Sequence, residues 1–192
     1  MMSCQQFEGM NVYEHGLDVH ARYLDLHAYL VNIHTLNCSD TNQCPEPKLR
    51  WRMPEWVHES GWLERLLPLE TMRLYQTYHD CGKPHCRTVD DQGRQHFVDH
   101  AAISYATWMQ HAETAEDHQV GELILHDMDA HTARGEAIDD CFLPMAEAPS
   151  LLMTALAEIH SNAAFLGKLD SDGFKIKWKQ LDKVGRRMVA NF

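Results

Sequence analysis

Leu69-Glu70-Thr71-Met72-Arg73-Leu74-Tyr75-Gln76-Thr77-Tyr78-His79-Asp80-Cys81-Gly82-Lys83-Pro84 is where an apolar helical pattern meets a polar pair and then stops. The pattern starts after Ser60, a candidate cap, and runs through Trp62, Leu63, Leu66, Leu67, Leu69, Met72, Leu74 and Tyr75. Pro68 kinks this helix or splits it in two, because its ring removes an amide donor and clashes with the preceding turn. Gly82 and Pro84 end it. His79 and Asp80 therefore stand at the inner end of a buried helix. An imidazole and a carboxylate in one turn of backbone are an economical way to hold one or two divalent metals.

Working upstream, Val12, Val19, Tyr23, Leu26, Leu30 and Ile33 fall on one stripe of a helix over residues 11–33. His15 shares that stripe and points inward, while His20, His27 and His34 repeat at seven-residue steps on a neighbouring, more exposed line. His15 is thus the first-helix candidate for a metal ligand, with His20 behind it. Residues 37–54 read as a long polar loop, with Trp51 and Trp56 either closing over a ligand or stapling the loop down. Cys38 and Cys44, like Cys81 and Cys86, lack the Cys-x-x-Cys spacing of a structural zinc site and read as ordinary thiols.

Downstream, Thr88 to Gln95 with Asp90-Asp91-Gln92-Gly93 reads as a turn or short hairpin. Helices follow over 98–112, carrying His100 and Ser104, and over 115–128, ending in His126-Asp127. Residues 131–149 read as a loop. Ser150 caps a further helix whose stripe holds Leu151, Ala155, Glu158, Asn162 and Phe165, so that Glu158 faces inward. A carboxylate there is costly unless paired or metal-bound. Residues 173–191 form a basic amphipathic helix bearing Lys175, Lys177, Lys179, Lys183, Arg186 and Arg187. The expected fold class is all-α, one domain over 1–192 with its site in 11–165.

Composition narrows the function. A formal net charge of −11 argues against broad nucleic-acid binding, which needs clustered cations. It leaves a small phosphorylated ligand open, since metals invert the local sign of a site. No apolar run is long enough to cross a bilayer. With six cysteines and no secretory pattern at Met1–Gln6, the cytosol of a bacterium, or of a bacterium infected by a virus, is the expected compartment.

His79-Asp80-Cys81-Gly82-Lys83-Pro84, then Asp91-Gln92-Gly93, His96-Phe97 and His100 with Ser104 a turn later, form an ordered run. Val12-Tyr13-Glu14-His15-Gly16-Leu17-Asp18-Val19 precedes it and Leu123-Ile124-Leu125-His126-Asp127 follows. In these segments the chain resembles the HD-domain metal-dependent phosphohydrolases, and locally the HD domain attached to bacterial CCA-adding tRNA nucleotidyltransferases. The likeness spans roughly 11–165 and includes no nucleotidyltransferase domain. It implies a bundle of five or more helices around one or two divalent ions, Mn, Fe, Co, Ni, Zn or Mg. The implied ligands are His15, His79, Asp80, His100, His126 and Glu158, with Asp80 bridging. The family places Asp where Glu158 stands, which makes Asp127 a rival for that position. The segment between His15 and the His-Asp pair is also longer than the family's.

The activity implied is hydrolysis of a phosphate ester of a nucleotide-like small molecule by metal-activated water. Lys83 then either contacts a phosphate oxygen or is a surface lysine beside a turn. Arg87 and His96 either join that pocket or order the turn. Two other readings use the same residues: a di-iron oxygenase on the same ligands, and a non-catalytic module that binds a nucleotide or a protein partner. Homo-oligomerisation is left open by the sequence.

Overall fold

The computed structural model describes residues 1–7, 9–35, 46–165 and 168–192. The described chain is mostly helical, with eight helices and two short strand pairs, β1–β2 and β3–β4. The all-α expectation holds. Two compact units divide it: Met1–His20 with Pro68–Met128, and Ala21–Leu67 with Asp129–Phe192.

In the first unit β1 (Gln5–Phe7) pairs antiparallel with β2 (Met10–Asn11) and leads straight into α1 (Val12–Thr35). Asn11 Oδ1 accepts from the Glu14 amide while Glu14 Oε2 accepts from the Asn11 amide, a reciprocal cap that fixes where α1 begins. α2 (Leu69–Tyr78) starts directly after Pro68, so the proline splits the expected long helix. Trp62 to Leu67 hold only a short 3₁₀ turn at Leu63–Arg65. α3 (Lys83–Cys86) follows the His-Asp pair, then the hairpin of β3 (Arg87–Val89) and β4 (Gln95–Phe97). α4 (His100–Met109) and α5 (Ala115–Leu125) close the unit. Both are shorter than the pattern suggested. Thr114 and Asp117 form a second reciprocal cap that sets the start of α5.

Two glycines let this unit pack backbone against backbone. A Cβ on Gly16 of α1 would lie 2.4 Å from the Thr77 carbonyl oxygen of α2, and one on Gly82 would lie 2.3 Å from the Ser104 nitrogen of α4. No side chain fits at either position. The first approach brings His15 and His79 together; the second seats the turn after Asp80 on α4. Around them Val12, Val19, Met72, Tyr75, Val120, Leu123 and Ile124 are fully buried, each large side chain worth about 1.5–3 kcal/mol of transfer free energy.

In the second unit, the later part of α1 buries Tyr23, Leu26 and Leu30. The 3₁₀ turn Glu55–His58, α6 (Asp129–Thr132), a π turn at Ile138–Phe142, α7 (Ala148–Phe165) and α8 (Asp172–Val189) complete it. α7 starts earlier than Ser150, so Ser150 is not its cap; its hydroxyl accepts from the Leu67 amide at 2.9 Å. The stretch expected to be a loop, 131–149, contains the π turn that buries Ile138 and Phe142. α8 is capped by Ser171 and buries Phe174, Leu181, Val184 and Met188. Trp51 donates to Asp25 and stacks on His160 at 4.5 Å between ring centres, and Trp56 is buried. Both act as staples. Cys38 and Cys44, with the first half of the expected 37–54 loop (37–45), lie outside the described residues.

Candidate functional site

Asp80 follows the last turn of α2 and is buried in the first unit. Three imidazole Nε2 atoms approach its carboxylate: His79 at 3.1 Å, His100 at 3.7 Å and His15 at 4.0 Å. Each comes from a different place, α1 for His15, the end of α2 for His79 and the first turn of α4 for His100. Phe7 of β1 packs edge-on against His15, and the His15 and His79 ring centres are 5.4 Å apart.

The other ring nitrogens explain the orientation. His79 Nδ1 lies 2.8 Å from the Gln76 carbonyl oxygen, and His100 Nδ1 lies 3.1 Å from that of Phe97. A carbonyl only accepts, so each Nδ1 carries the proton, and in the neutral ring Nε2 presents a lone pair. Two lone pairs aimed at a buried carboxylate repel it unless a cation or protons lie between. Backbone carbonyls that fix the tautomer of a histidine in this way are the usual outer shell of metal-ligating imidazoles. Asp80 Oδ1 is buried and accepts no hydrogen bond from the described residues. The donor set, imidazole and carboxylate, thus fits a divalent ion of the first transition row or magnesium.

Lys83 supplies the local positive charge. It is buried, with Nζ donating to Asp80 Oδ2 at 2.6 Å and to Gln6 Oε1 at 3.0 Å, and it lies 5.2 Å from the centre of the Phe97 ring. It is not the surface lysine of the alternative sequence reading. Without an ion, protons on the imidazoles take its place: burial alone pushes the Asp80 carboxyl pKa up, but a protonated His79, Lys83, the hydrogen bond that the protonated His79 donates and a protonated His15 hold it well below the ordinary range. Cys81 behaves oppositely. Burial, with the neighbouring Asp80 charge, pushes its thiol up to about 11, and Sγ donates to the Ser104 carbonyl. It is therefore a thiol and not a thiolate ligand.

The remaining candidates have partners of their own. His126 is the C-cap of α5, half-buried, beside the buried Asp127. Asp127 accepts a 2.6 Å hydrogen bond from Tyr75, which commits one of its oxygens within the first unit. Glu158, in the second unit, pairs with His131 Nε2 at 2.9 Å and accepts from Asn162 at 3.3 Å. His20 bonds Gln76 Oε1 through Nδ1 at 2.8 Å. Arg87 donates to Gln95, and His96 pairs with Asp90 at 3.0 Å. Both are exposed and order the hairpin.

The sequence reading missed Gln6, Phe97 and Gln76 as supports of the site. Gln76 and Phe97 stand three residues before a candidate ligand, a spacing that brings a carbonyl back to the imidazole. Gln6 sits on a strand too short to carry a pattern. Comparison with protein-family models, with curated proteins and with solved structures finds no match to this chain. No helix among the described residues is long and apolar enough to cross a membrane.

Proposed function

We propose that the protein is a metal-dependent phosphohydrolase of the HD type, acting on a phosphate ester of a nucleotide-like small molecule. The observation that carries the reading is the convergence of His15, His79 and His100 Nε2 on the buried Asp80 carboxylate, with two of the rings held by backbone carbonyls. His15, His79, Asp80 and His100 would hold the ion, and the resemblance adds His126 and Glu158 to the set. A divalent ion in such a site supplies a Lewis acid that lowers the pKa of water and neutralises charge developing on phosphoryl oxygens.

The chain's own residues then have separate tasks. Asp80 gathers the imidazoles, and the Gln76 and Phe97 carbonyls keep Nδ1 protonated on His79 and His100, so that Nε2 remains the ligating atom. Lys83, an ammonium with three donors, orients a phosphoryl oxygen as a point charge at the edge of the carboxylate. Gln6 holds that ammonium in place from β1.

The test is protein loaded in turn with Mn, Fe, Co, Ni, Zn and Mg against a panel of nucleoside mono-, di-, tri- and cyclic phosphates. Release of phosphate or nucleoside by the wild type, and its loss in His79→Ala and Asp80→Ala, is the expected result. No release from any member with any of these metals sinks the hydrolase reading. Oxygen consumption by the iron form would point to the di-iron oxygenase, and tight nucleotide binding without turnover to a binding module.

A further inference from the structure

The second unit contains a cavity of about 400 Å³, inside the range of roughly 300–1,000 Å³ usual for small-molecule sites. Leu143, Met145, Met188 and Phe192 give it an apolar wall, and its polar groups are Glu64, Arg65 and Asn191. These residues come from three segments: the 3₁₀ turn Leu63–Arg65, the stretch before α7, and the end of α8 with the residues after it. Arg65 by itself is explained as a staple. Its guanidinium lies 4.3 Å from the centre of the Phe192 ring, and Nη1 donates to the Gly61 carbonyl at 2.7 Å. That role accounts for neither the carboxylate next to it in the same lining nor the space in front of them.

The walls are fixed before any ligand arrives. Phe192 packs edge-on against the buried Trp62, 4.7 Å between ring centres, and Trp62 Nε1 donates to the Trp56 carbonyl at 3.0 Å. The Leu143 amide donates to the Ile138 carbonyl, the Met145 amide to Phe142 and the Ala148 amide to Met145, all at 2.9 to 3.1 Å. Those bonds hold the stretch before α7. Asn191 Nδ2 donates to the Arg187 carbonyl at 2.8 Å, which leaves Oδ1 as the group it can offer a ligand. Burial holds the His34 imidazole below its ordinary pKa despite the Glu64 charge nearby, so that ring is neutral and leaves the carboxylate its charge.

We propose that this cavity binds a large apolar α-amino acid. Its carboxylate bonds Arg65, whose guanidinium has five N–H donors and spends one on Gly61. Its ammonium faces Glu64 and Asn191 Oδ1, and its side chain rests on Phe192, Leu143 and the two methionines. Consecutive residues of opposite charge set the selection. Glu64 repels a lone anion, Arg65 repels a lone cation, and a neutral aromatic compound pairs with neither; a zwitterion answers both. Methionine side chains adapt to their contents, so an aromatic or a branched side chain is accommodated. Every residue of this site belongs to the second unit, and binding there needs neither a metal nor the Asp80 cluster.

The experiment uses full-length protein titrated calorimetrically at low salt with L-phenylalanine and with L-leucine. 3-Phenylpropionate, which lacks the ammonium, and 2-phenylethylamine, which lacks the carboxylate, are the controls. The expected result is saturable binding of one equivalent of L-phenylalanine, L-leucine or both, weakened about tenfold or more in Arg65→Gln and in Glu64→Gln. Each control should bind about tenfold or more weakly than the amino acid, and Glu64→Gln should lose the preference over 3-phenylpropionate. Both residues are exposed, so the variants should melt as the wild type does. Absence of saturable binding of both amino acids, equal affinity for either control, or unchanged affinity in either folded variant overturns the proposal.

Discussion

Asp80→Asn is expected to abolish turnover and to destabilise the protein at once. The activity lost should reach about a thousandfold, equivalent to the several kcal/mol of charge stabilisation that a metal gives a phosphoryl-transfer transition state. The stability lost has a different origin. Lys83 is 6 % exposed and its ammonium lies 2.6 Å from Asp80 Oδ2, so removing the carboxylate charge leaves a buried cation without its counter-ion. Breaking a buried pair from one side costs about 3–5 kcal/mol. Adding Lys83→Met to the variant should recover much of that stability and none of the activity, because the residual cost resides in the uncompensated ammonium. Urea denaturation and phosphate release on the single and double variants check both halves. Full stability in Asp80→Asn alone contradicts the burial argument.

Acid should weaken the fold through His160, in the second unit. The ring is 1 % exposed, and its pKa is lowered from 6.5 to about 4, first by burial. The folded pKa is below the unfolded one, so the unfolded chain binds the extra proton between the two values. The stability contributed is therefore complete above about pH 6.5 and is lost as pH falls towards 4, to the extent of roughly 3 kcal/mol. The structural reason is local. Nε2 accepts from the Arg52 amide, and a proton on that nitrogen would set two N–H groups against each other. Denaturation midpoints at pH 7 and pH 4.5 should differ more in the wild type than in His160→Gln. An equal drop in both removes His160 from the account.

What the sequence made legible follows the physics of short range. His79 and Asp80 are neighbours in the chain, and the stripe through Val12 and Val19 was enough to turn His15 inward. His100 is one turn from the hairpin. These placements depend on helical periodicity, and the described structure brings all four to one point. Pro68 was readable as a break, though not which of kink or split would result, since that depends on whether Leu66 and Leu67 have a better place outside a helix. Ser150 looked like a cap but is used by Leu67, a partner more than eighty residues away. A similar separation hid Gln6 from Lys83. Arg87 and His96 illustrate the reverse case. Their nearest partners, Gln95 and Asp90, belong to their own hairpin, and a strand register accounts for them without a ligand.

Whether the imidazoles around Asp80 hold a divalent metal can be read with Mn²⁺ alone, without reference to any substrate. Chelator-stripped protein is titrated with Mn²⁺, and the free hydrated ion is followed by its electron paramagnetic resonance signal. The first one or two equivalents are expected to disappear from the free signal in the wild type and to remain free in folded Asp80→Asn and His79→Ala. If the ion stays free in the wild type, or if Asp80→Asn binds it equally well, the metal site is not where these residues converge.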